Sequence, residues 1–135
     1  MSTAAIDRTR SAGSDDAETL YERARAFQPR IAELAPAMDK AGRLDDALMA
    51  DLDAAGLASV LVSKRWGGAG LGLKEAAKVL RILAQADVST AWVINNFMLS
   101  SLILSRFPIS AQERIFAKKP SHNAGGNLAP SGEAS

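Results

Sequence analysis

Residues 88–105 run for eighteen positions without a charged side chain, and this stretch narrows the chain to two architectures. That length reaches the lower limit for a membrane-spanning helix, and it equally suits the buried helix of a globular fold. Seven of the eighteen are polar: Ser89, Thr90, Asn95, Asn96, Ser100, Ser101 and Ser105. Two asparagines near the middle of a lone span would find no hydrogen-bonding partner in hydrocarbon. The segment therefore reads as the central helix of a soluble protein, with no membrane partner.

The flanking sequence keeps helical spacing. Leu20, Ala24, Phe27, Ile31, Leu34 and Met38 recur at intervals of four and three, the stripe of an amphipathic helix, and Asp15 and Glu18 are spaced as a capping start. Pro29 and Pro36 lie inside this pattern and are expected to kink or split the helix, since each removes an amide donor. Residues 44–55 predict a short second helix, with Asp45 and Asp46 at its positive end and Gly56 as terminator. The apolar run 57–62 is too short to classify: it is either a final turn or a buried extended segment. A glycine-rich loop over 64–72 carries Trp66, and Leu73, Ala76, Ala77, Leu80 and Leu83 then mark a third helix over 73–86. Asp87 to Thr90 supply caps for the central helix, which runs through Trp92 to about Arg106 and stops before Pro108. Ser110 and Glu113 have capping-box spacing, opening a helix that Pro120 ends. With no strand alternation and no internal repeat, the fold class is all-α, a bundle of about five helices. Residues 1–14 read as a disordered tail, 15–120 as the helical domain and 121–135 as a small-residue loop.

At 135 residues the chain makes one domain, large enough for one modest core and too small for a core plus a deep cofactor cavity. Sixteen basic against fifteen acidic residues, with only 5% aromatic, give no electrostatic or stacking case for nucleic acid. The absence of cysteine excludes disulfides, thiolate catalysis and zinc–sulfur sites and permits the reducing cytoplasm; a single histidine, His122, excludes a histidine metal cluster. The first fourteen residues lack the apolar run of a signal peptide.

Four features could carry chemistry. The loop Trp66-Gly67-Gly68-Ala69-Gly70 is either a tight turn tucking Trp66 onto the bundle or a set of backbone amides open to a phosphate, although neither nucleotide fingerprint is complete. Trp92, Asn96 and Ser100 fall at i, i+4 and i+8, and these groups either find structural partners or line a pocket; Trp92 by itself reads as core. His122 is a loop histidine or a general base. Residues 124–132, rich in glycine, read as a linker by composition.

Taken together, several segments resemble the amino-terminal helical domain of the acyl-CoA dehydrogenase superfamily. They are Ala55-Gly56-Leu57, the run Lys64-Arg65-Trp66-Gly67-Gly68-Ala69-Gly70-Leu71 with Glu75, and Ala86-Asp87-Val88-Ser89-Thr90-Ala91-Trp92-Val93. The last of these, with Phe107-Pro108 and Ala111-Gln112-Glu113, is most similar to the branch of two-component flavin monooxygenases, which hydroxylate aromatics with reduced flavin from a separate reductase. The resemblance covers roughly residues 17–135. It implies FAD or FMN as cofactor, an aromatic or acyl-CoA substrate, a flavin reductase as partner, a cytoplasmic location, and homo-tetramers among full-length members. It further implies that Asn127, Leu128 and Ser131 lie against the flavin in the segment entering a β-domain, and that Trp92, Asn96 and Ser100 line the substrate side. Asn95 and Asn96 stand where the monooxygenase branch often has a helping histidine, so no catalytic residue is carried over.

The family's β-domain, carboxy-terminal bundle and dehydrogenase glutamate have no counterpart within these 135 residues. The resemblance thus makes this chain an amino-terminal fragment, inactive alone. Its leading function is that of the monooxygenases; the alternatives are FAD-dependent acyl-CoA dehydrogenation and a non-catalytic remnant or interaction module.

Overall fold

A computed structural model of the chain describes residues 3–123, with side chains from Asp16 onward. Five α-helices follow one another: α1 (Thr3–Ala41), α2 (Asp46–Ala54), α3 (Leu73–Ala84), α4 (Val88–Leu104) and α5 (Ile109–Phe116), with a 3-10 turn at Lys64–Trp66. No strand occurs among the described residues, and the fold is all-α.

The α1 stripe does what its spacing predicts. Leu20, Ala24, Ile31 and Met38 are buried, and Phe27 and Leu34 pack half-buried against them. Two expectations about this helix are corrected. It begins at Thr3, inside the stretch read as a tail, so Glu18 caps no helix start and instead bonds Arg25 at 3.2 Å. It also continues through Pro29 and Pro36 without a break. Both prolines are on the exposed side, as are Arg25 and Ala32, whose carbonyls lose their usual donors, so water can take those places.

The second helix forms as the sequence predicts. The Asp45 carboxylate accepts from the Leu48 amide at 2.8 Å, and Gly56, at φ 82°, turns the chain out of the helix. Residues 57–62 are buried but turned, not extended: the amides of Ser59 and Val62 donate to the carbonyls of Gly56 and Ser59 at 3.3 and 3.2 Å, Leu57, Ala58 and Val60 are fully enclosed, and Val62 is 1% exposed.

Helix α3 packs on both α1 and α4, placing it at the centre of the bundle. Its buried face is Ala76, Val79, Ile82 and Leu83, so the expected stripe is partly corrected: Leu73 and Ala77 face solvent. Ile31, Leu48, Leu52, Val79, Leu83, Ile94 and Met98 form the heart of the core. Helix α5 starts at Ile109 behind Pro108, whose φ of −53° turns the chain into the helix before Ser110 is reached. Ser110 consequently caps nothing, and Glu113 instead faces Arg65 at 3.6 Å. None of the described helices is long and apolar enough to cross a membrane.

Candidate functional site: the open face of the central helix

Helix α4 is apolar nearly all round, a composition that normally belongs to an enclosed helix. Its start is fixed by Asp87, whose Oδ2 accepts from both the amide and the hydroxyl of Thr90 at 2.7 Å. Ala91, Ile94, Met98 and Ser101 turn into the core. The opposite face is open: Val88 is 71% exposed, Trp92 65%, Ile103 61% and Leu99 45%.

The structure spreads the stripe of Trp92, Asn96 and Ser100 across this boundary. Each i+4 step overshoots a helical turn by about 40°, so three such residues sweep from one face toward the next. Trp92 is exposed, which corrects its reading as core; Asn96 is half-buried and Ser100 is buried. The Ser100 hydroxyl donates to the Asn96 carbonyl at 2.7 Å, so it is satisfied within the helix, as is Ser101 by Phe97 at 2.8 Å. The side-chain amides of Asn95 and Asn96 have no hydrogen bond to a described residue.

Two clefts flank Trp92. One, of about 410 Å³, lies between the end of α1 and the start of α4, where Met38, Leu44, Val88 and Trp92 form apolar walls beside Asp39 and Asp87. The other, of about 290 Å³, lies toward α3 and is lined by Leu80, Ala84, Ala91 and Asn95. No ionisable group occurs within α4 itself. Such a surface can position a flat apolar ligand and exclude water, two amides are available to orient it, and the carboxylates beside it, Asp39 and Asp87, come from the cleft's rim and not from the helix.

The glycine loop resolves to its packing alternative. The amides of Trp66, Gly67, Gly68, Ala69, Gly70 and Leu71 all donate to backbone carbonyls of residues 59–64, and that of Gly72 donates to the Glu75 carboxylate at 3.1 Å. No amide is left to cradle a phosphate. Trp66 is tucked onto α5: its ring stacks on Phe116 with centroids 6.0 Å apart, and Nε1 donates to Gln112 Oε1 at 3.2 Å.

Gln112 has a structural role that escaped the sequence reading. It is 8% exposed, and its Nε2 also donates to the carbonyls of Ser105 at 3.0 Å and Phe107 at 2.7 Å, so one amide ties the end of α4, the start of α5 and the glycine loop together. The segment Ala111-Gln112-Glu113 entered the sequence reading only as part of the family resemblance, which gave Gln112 no structural role. His122 lies edge-on to Phe116 at 5.5 Å, with Nε2 against the Lys119 carbonyl at 3.0 Å; no described carboxylate bonds its ring as a base would require. Asn127, Leu128 and Ser131 lie outside the described residues.

Comparison with known proteins agrees with this architecture. Residues 14–119 match the acyl-CoA dehydrogenase N-terminal domain. The chain is 32% identical over 114 residues to a pigment production hydroxylase of Rhodococcus sp. (strain ATCC 21145); the match covers 84% of this chain and 30% of the relative. No solved structure matches. A five-helix body with this loop and this central helix, matched over most of its length, belongs to the acyl-CoA dehydrogenase family and corresponds to its amino-terminal domain.

Proposed function

We propose that the chain is the amino-terminal domain of a cytoplasmic two-component monooxygenase, which hydroxylates an aromatic substrate with oxygen and reduced flavin delivered by a separate reductase. The observation that carries this reading is the 32% identity to a relative named as a hydroxylase, within a family that is flavin-dependent in general. The chain spans 30% of that relative's length, so the remaining walls of the pocket are assigned to polypeptide beyond these residues, in a homo-tetrameric assembly.

The described residues fit a flavin as one wall and not as a cradle. Val88 and Trp92 offer an exposed apolar face, whereas every amide of the glycine loop is already spent, so the phosphates of FMN or FAD would be held elsewhere. The downstream residues Asn127, Leu128 and Ser131 are the proposed contacts to the ring. When bound, reduced flavin supplies the activation of oxygen. On this reading the chain's own contribution is to keep that reaction dry: Trp92 covers the aromatic substrate, Val88 excludes water, and the Asn96 amide orients a polar substituent. Ser100, bonded to the Asn96 carbonyl, stiffens the turn beneath it.

The test is co-expression of the chain with the complementary portion of the Rhodococcus hydroxylase, followed by titration with reduced flavin and exposure to oxygen and a panel of phenols. Hydroxylated product is expected. Retention of oxidised FAD with oxidation of an acyl thioester would favour the dehydrogenase, and peroxide without any product would count against hydroxylation.

A further inference from the structure

We draw no further inference here: the strongest candidate, the cleft of about 410 Å³ between the end of α1 and the start of α4 with the Asp39 carboxylate at its rim, borders the face already assigned to the proposed pocket, and nothing in the structure shows what covers it.

Discussion

A methyl group at Gly68 would sit 2.1 Å from the Val62 carbonyl oxygen and 2.4 Å from Val62 Cβ, and the first of these neighbours is backbone. Gly68→Ala is therefore expected to destabilise the chain by roughly 2–4 kcal/mol, read as a lower urea midpoint with unchanged slope. The density of glycine was legible in the sequence, but its purpose was not. Whether loop amides serve an anion or a neighbouring strand of chain depends on where residues 57–62 run, and a short apolar run has no periodicity to say. Gln112 was illegible for a related reason: its partners Trp66, Ser105 and Phe107 come together only in three dimensions. Gln112→Ala should cost about 3 kcal/mol by leaving two carbonyls and an indole N–H without their donor or acceptor, and should shift the emission of Trp66. Tyr21 offers a cleaner signal, since it is the single tyrosine. Burial, then the negative charges of Glu75 and Glu18, raise its phenol above the ordinary value of 10.0. The folded chain holds this proton more tightly than the unfolded one, so the contribution to stability is intact below pH 10.0 and is lost as pH climbs through the folded value. Tyrosinate absorbance should accordingly rise later in the folded chain than in urea, and Tyr21→Phe should remove the corresponding alkaline loss of stability.

Among the helices, those whose signals are local were the ones the sequence specified. The α1 stripe, the Gly56 terminator and the Asp87 cap depend on local residues and are present as read, while Asp45, read only as an acidic residue at the positive end of α2, is its N-cap. The signals that failed were local too, but they competed with a neighbour. Ser110 and Glu113 have the spacing of a capping box, yet Pro108 turns the chain first. Leu73 keeps helical spacing with Ala76 and Leu80, yet it is 62% exposed because the core lies beside Val79 and Leu83. The contrast between true and false caps is measurable. Asp87→Ala should cost about 1–2 kcal/mol, since Asp87 serves both the amide and the hydroxyl of Thr90, whereas Ser110→Ala should change the unfolding free energy by less than about 0.5 kcal/mol. Equal losses at the two sites would mean that α5 begins at Ser110 after all. Of the candidate site, the choice of helix was legible from its lack of charge, while the division of its residues between core and surface was not. Spacing places Trp92, Asn96 and Ser100 near one another; that Ser100 goes in and Trp92 stays out is decided by packing between elements distant in sequence.

At the scale of the whole chain, the bundle encloses its own core and still leaves one side of its most apolar helix in water. Trp92 reports on that side, and the only other tryptophan, Trp66, is half-buried against α5. In a Trp66→Phe background the remaining indole should therefore be readily quenched by iodide in dilute solution and emit at long wavelength. On the proposed reading the complementary polypeptide covers it. Assembly into the proposed pocket should protect Trp92 once that polypeptide is added, with substrate adding further protection. In a Trp92→Phe background Trp66 should not respond, because its partners Phe116 and Gln112 belong to the same body. If Trp92 is already shielded in the dilute isolated chain, its face is closed without help, and no further polypeptide is needed to explain why a helix so free of charge ends at the surface.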